Sequence, residues 1–281
     1  VYFGLTKEQR EEIMRIANTN INVAPDLRDR LREEVLPPLL RNFGLETGMI
    51  KKGGNFGDKR RYDEDFSPTV RMLRSFIVNF FQGKEYKGDM DNDALIPYLC
   101  KSGKDIDIEY IKIFNKFKTN GSFNEEKLLE AGKMFAKLHD KQFKNVDNIK
   151  TVASSAKREY RIKSFSLAIV SSWAFAAGAL QKHPERLQKL YSLPDVSGND
   201  DPLNAVAMTK AKHKDLDTES YRGLGVRSDE KERGRLLQLF LEYSKSTKPK
   251  ITDAMCNASI EMFHSNLNKK RAEESRKKAF E

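Results

Sequence analysis

The chain has 281 residues, 38% hydrophobic and 33% charged, enough for a packed core beneath a large polar surface. Its 51 Lys and Arg outnumber 41 Asp and Glu, and the formal net charge of +10 favours polyanion partners, chiefly nucleic acid. No apolar run approaches the roughly 20 residues of a membrane span; Cys100 and Cys256, far apart in sequence, make no ligand pair with a neighbouring His, and free, buried thiols in a reducing, cytoplasmic compartment are the simplest account.

Residues 1–5 read as the end of a strand. Thr6 then caps a helix predicted over 7–17, with Gln9 completing a capping box and Ile13, Ile16 and Ala17 on the apolar face. Residues 18–22 end it. Pro25 opens a second helix, where Leu27, Leu31, Val35 and Leu39 recur at i, i+4 spacing until Pro37 and Pro38 break it. Residues 44–67 mix glycines with Lys and Arg and read as a basic loop. Ser67 and Pro68 start a strong helix with Val70, Leu73, Ile77, Phe80 and Phe81 on one face.

Shorter helices are predicted over 94–100 and 106–117, and the longest over 124–143. The helical pattern continues over 149–162, over the apolar stretch 165–180, and over 184–191. A polar loop at 193–201 leads to a weak helix over 203–212. A further helix is predicted over 228–243. Lys248 and Pro249 break the chain before a last helix that begins near Thr252 and frays into a charged tail. No internal repeat of fixed period is visible. The predicted fold is therefore mainly α, a multi-helix, bundle-like core with two long basic loops and a residual strand at the N-terminus. It divides into an N-terminal helical segment, 1–45, and a helical domain, 46–281, or forms one continuous domain.

The most informative stretch is 221–235. A loop carrying Arg222, Gly223, Gly225 and Arg227 runs into a helix start carrying Arg233 and Arg235. Glycines allow close backbone approach, helix N-termini favour anions, and Arg binds phosphate through two parallel hydrogen bonds. The stretch predicts a phosphate-binding junction. It is neither a G-x-x-x-x-G-K-[ST] loop nor a dinucleotide loop, since no strand precedes it. Asp229, Glu230 and Glu232 can instead pair with the arginines in a plain charged turn.

A second basic loop holds Lys51, Lys52, Lys59, Arg60 and Arg61, with Phe56 and Tyr62 as aromatics that could stack on bases. A third basic stretch holds Lys157, Arg158, Arg161 and Lys163, where a solvated helix face is the simpler reading. Asp89, Asp91 and Asp93 suggest a calcium loop, but Ala94 stands where Gly is needed and Cys100 where a bidentate Glu is needed. Asp63, Glu64 and Asp65 could hold a divalent metal or neutralise Arg60 and Arg61; the second is favoured. The four histidines, His139, His183, His213 and His264, form no i+3 or i+4 pair, and there is no G-x-S-x-G elbow. No catalytic residue, metal site or cofactor is expected from these patterns, and enzymatic activity stays open.

The N-terminal run Val1-Tyr2-Phe3-Gly4-Leu5-Thr6-Lys7-Glu8-Gln9, followed by Ile16-Ala17-Asn18-Thr19-Asn20, resembles the region downstream of the signature in ParB-like, DGQHR-type proteins related to DndB. The resemblance covers about 40 residues. It implies DNA binding or DNA modification, with nucleotide hydrolysis in some members. The D-G-Q-H-R signature itself is absent, so none of its residues carries over. The chain begins without Met, and the resemblance would place a strand-rich core upstream of Val1.

The leading expectation is a DNA- or RNA-binding helical protein, DNA before RNA, that contacts the phosphate backbone through both basic loops. The alternatives are a nucleotide-dependent or nuclease enzyme with its core upstream, and a structural or assembly subunit or homo-oligomer using helical faces. No membrane partner is expected.

Overall fold

The computed structural model describes residues 4–20, 29–30, 38–57, 67–101, 108–118, 126–146, 166–198 and 200–280. Among them the chain forms ten α-helices and no strand: α1 (Lys7–Asn20), α2 (Pro38–Glu46), α3 (Val70–Glu85), α4 (Ile108–Lys118), α5 (Glu126–Val146), α6 (Leu167–Ala179), α7 (Pro184–Tyr191), α8 (Ala205–Lys210), α9 (Glu230–Lys245) and α10 (Asp253–Phe280). The fold is mainly α and bundle-like. Val1, Tyr2 and Phe3 lie outside the described residues, and Gly4 and Leu5 are not in a strand.

Local signals set several of these boundaries. At α1 the Thr6 N–H donates to Gln9 Oε1 (3.0 Å) and the Gln9 N–H donates to Thr6 Oγ1 (3.3 Å), the reciprocal pair of a capping box. α2 opens at Pro38, where a missing N–H costs no helical bond. α2 also crosses the expected boundary at residue 45, and its Leu40 and Phe43 share one core with Leu73 and Phe76. Pro184 likewise opens α7.

The centre is α6, which is buried along almost its whole length from Ala168 to Ala179. α3 lies against it with backbones nearly touching. A Cβ on Gly83 would strike the Phe175 carbonyl, and one on Gly178 would strike the Phe80 carbonyl. Around this contact Trp173 packs against Phe135 at 5.3 Å, Tyr191 at 5.9 Å and Phe76 at 6.0 Å between ring centres. These contacts bring α5 and α7 onto the same core. α9 covers another side of α6, where Ser172 Oγ donates to the Arg233 carbonyl (2.8 Å). α10 then packs on α9, with the Phe263 ring seated over Gly234.

The helix predicted over 94–100 does not form. The segment is non-helical, with Pro97 in its middle. Asn79 of α3 accepts from the Tyr98 N–H (2.7 Å) and donates to the Tyr98 carbonyl (2.8 Å). Ser75 Oγ accepts from the Cys100 N–H (3.2 Å). Two buried polar side chains of α3 thus satisfy the backbone groups that a helix would have satisfied itself. At the C-terminal side α10 is helical from Asp253 to Phe280. The helix predicted over 149–162 lies outside the described residues.

Candidate functional site

The junction at 221–235 is built on α8 and α9. Gly223 has φ +81° and sits so close to the C-terminal end of α8 that a Cβ would meet the Met208 and Thr209 carbonyls. Leu224 is buried, and its N–H donates to the Met208 carbonyl (2.8 Å). Gly225 has φ +86°, and its N–H donates to Glu232 Oε1. Asp229 caps α9 by accepting from the Glu232 N–H (3.1 Å). The loop cradles a carboxyl group beside the helix start, and it is the chain's own Glu232. Its second oxygen accepts from the Tyr221 hydroxyl (2.8 Å), and the residue is only 1% exposed.

The four arginines predicted to surround a phosphate divide into two pairs. Arg233 and Arg235 turn inward, which corrects the expectation that they reach an external ligand. Arg233 is buried and donates to the Pro97 carbonyl (2.6 Å) and to the Ser228 carbonyl. Arg235 is fully buried and binds both Asp217 oxygens, at 2.8 and 3.0 Å, in a forked pair. Its Nε also donates to His264 Nε2 (3.0 Å), and its guanidinium lies 5.3 Å from the Tyr221 ring centre. Arg222 and Arg227 remain exposed, as does Lys231 in the first turn of α9. Arg227 and Lys231 stand at a cleft of about 200 Å³ that Asp217, Asp229, Tyr221 and Glu232 also line.

Behind this cleft is a polar cluster that spacing did not reveal. The rings of His213 and His264 meet edge to face at 5.1 Å, although 51 positions separate them in sequence. His213 Nδ1 accepts from the Asp215 and Leu216 N–H groups (3.1 and 3.2 Å), and its Nε2 faces Glu261 at 3.4 Å. Burial and the Arg235 charge bring His264 down to about 4, so the ring is neutral and accepts at Nε2. Burial alone would raise Asp217, but the Arg235 fork and the His213 N–H outweigh it and hold the carboxylate below its ordinary range. Burial raises Glu232 to about 7, against the opposing pull of the Tyr221 hydroxyl, the Gly225 N–H and the Arg235 charge. Burial and the neighbouring Glu232 push the Tyr221 phenol up. Chemically, the cluster can hold a proton on Glu232 near neutral pH. Among the described residues no group of three His, Cys, Asp or Glu side chains could hold a metal ion.

The second loop sits on different elements. Lys51 and Lys52 are exposed, and Lys51 Nζ lies 3.7 Å from Asp140 of α5. Arg41 braces this loop by donating to Asn55 Oδ1 (2.9 Å) and to the Gly54 carbonyl (3.0 Å). Phe56 is a core residue, 2% exposed, so it cannot stack on a base. Lys59, Arg60, Arg61 and Tyr62 lie outside the described residues, as do Asp63, Glu64, Asp65, Lys157, Arg158, Arg161 and Lys163. In the Asp-rich loop the carboxylates are engaged internally. Asp91 forms a fork with Arg186 (3.0 and 3.0 Å), Asp89 accepts from the Asp91 N–H (3.1 Å), and Asp93 accepts from Tyr86.

A further basic surface lies on the C-terminal part of α10. From Asn268 to Ala279 every residue of α10 is exposed, and six of the twelve are Lys or Arg. Its signal was legible: Lys269-Lys270-Arg271 recurs seven residues on as Arg276-Lys277-Lys278. Comparison with protein-family models, curated proteins and solved structures finds no match.

Proposed function

We propose that this chain binds nucleic acid, DNA before RNA, by contacting the phosphate backbone with exposed Lys and Arg side chains. The observation that carries the reading is the exposure of Arg222, Arg227 and Lys231 at the Gly223–Gly225 turn and the helix start that follows it, in a chain of net charge +10. Phosphate groups belong on the solvent side of these cations and not deeper in the cleft, because Asp217 and Asp229 line it beside Arg227 and Lys231 and repel them. Lys51 and Lys52 supply a second, separate point of contact. Reading of base sequence is no part of this proposal, since backbone contacts position a protein without specifying a site.

A salt titration tests it. Affinity of the full chain for a short DNA duplex should fall steeply with salt, each neutralised phosphate adding about 0.9 to the log–log slope. Replacing Arg222, Arg227 and Lys231 together by Ala should flatten that slope by about 2.7. Binding that ignores salt, or a slope the triple variant leaves unchanged, overturns the reading.

A further inference from the structure

We infer that residues 268–279 of α10 form a basic helix that enters the major groove of double-stranded DNA. This rests on the nucleic-acid reading above and specifies how the duplex is engaged. The segment contributes nothing to the core: all twelve residues are exposed, and over about 18 Å of helix no other described element covers them. Six basic residues against two acidic ones leave a surplus of four, so twelve residues hold four of the chain's ten net charges.

The charges are not spread evenly. At 3.6 residues per turn, Asn268, Ala272, Ser275 and Ala279 fall on one stripe about 60° wide. Arg271 and Lys278 flank it on one side, Lys269 and Arg276 on the other. Glu273 and Glu274 fall on the opposite face, with Lys270 and Lys277. The acidic groups are therefore turned away from a short-sided face that has cations along both edges.

That arrangement selects the occupant. The stripe offers no large apolar side chain, so a protein partner or a second copy of the helix would bury little area on it. A duplex groove fits better. The major groove is about 12 Å wide and admits an α-helix, and continuous basic helices dock there. Small residues let the helix axis approach the base edges, while the flanking Lys and Arg reach the phosphates on either wall. Asn268 and Ser275 carry hydrogen-bonding groups suited to base edges, and an Ala methyl can meet a thymine methyl. A-form RNA has a deep, narrow major groove that excludes such a helix.

The helix is able to stand without a partner. Its residues are mostly strong helix formers, Glu273–Lys277 and Glu274–Lys278 stand at i, i+4 with the acid first, and Lys277 and Lys278 lie in the last turn, where cations complement the helix dipole.

The test uses the full chain and three proteins: wild type, a front-face variant with Lys269, Arg271, Arg276 and Lys278 replaced by Ala, and a back-face variant with Lys270 and Lys277 replaced by Ala. Ala preserves helix propensity, and circular dichroism checks that the fold is kept. The front-face variant should lose at least tenfold in affinity for a DNA duplex, with a salt slope lower by about 3.6. The back-face variant should stay within about twofold, and wild type should prefer the DNA duplex to an RNA duplex of the same sequence by at least tenfold. Equal loss per charge from the two faces, or equal binding of the two duplexes, overturns the groove geometry. Duplex binding unchanged in the front-face variant overturns this inference while leaving backbone binding intact. A wild-type chain that binds no duplex removes both.

Discussion

Replacing Glu232 by Gln should stabilise the protein, and by an amount that grows with pH. Glu232 is 1% exposed, and its carboxyl rises from an ordinary value of 4.5 to about 7 in the folded chain, chiefly through burial. At about 1.36 kcal/mol per pH unit, that rise is worth about 3 kcal/mol. The sign follows from proton linkage. Because the folded state holds this proton more tightly than the unfolded state, wild type suffers no penalty below pH 4.5. As pH rises from 4.5 to 7 the unfolded chain ionises first and stability falls. Above pH 7 the loss is complete. Gln reproduces the neutral acid: its oxygen can accept from the Gly225 N–H, and its amide can donate to the Tyr221 oxygen. Urea unfolding of both proteins from pH 4 to pH 8.5 gives the difference directly, and other titrating groups cancel in it. The variant should match wild type near pH 4 and exceed it by about 3 kcal/mol at pH 8. A difference that does not change with pH, or that shrinks as pH rises, would refute the account of Glu232 as a reluctantly ionised acid.

Two further outcomes follow from the packing. Asp217→Ala leaves the fully buried Arg235 without its forked partner, so chemical denaturation should show a loss of about 3–5 kcal/mol; a loss below 1 kcal/mol would mean that the pair carries little. Gly178→Ala should destabilise by about 1–3 kcal/mol, because its methyl would strike the Phe80 carbonyl where α3 and α6 meet. Helix propensity alone predicts the opposite, a gain of about 1 kcal/mol, so thermal unfolding of this variant decides between packing and propensity.

The contrast between local and distant causes explains what the sequence could reveal. The capping box of Thr6 and Gln9, the proline start of α7, and the apolar run of α6 are each set within a few residues, and each is legible; Pro37 and Pro38 read only as a break, where α2 in fact begins. The segment 94–100 was misread because the groups that hold it, Ser75 and Asn79, belong to a helix some twenty residues earlier. The arginine cluster failed in the same way. Arg222, Arg227, Arg233 and Arg235 carry the same charge, and nothing nearby says that Asp217 and His264 will draw one of them into the core. The burial of Glu232 is hidden for a related reason: its partners, the Tyr221 hydroxyl and the Gly225 N–H, belong to a loop that folds back onto the start of α9. The repeated basic triplet of α10 was visible throughout, but charge near a terminus was read as solvation.

The lone tryptophan gives the molecule an internal reporter. Trp173 is the single indole of the chain, 1% exposed and enclosed by Phe76, Phe135 and Tyr191. Its emission should be blue-shifted in the folded state and move to the red only when the contact between α3 and α6 opens. The exposed end of α10 shares no contact with that ring environment, so a duplex bound there should leave the tryptophan spectrum unchanged. One fluorescence channel therefore reads the integrity of the core, independently of whatever the charged surfaces are doing.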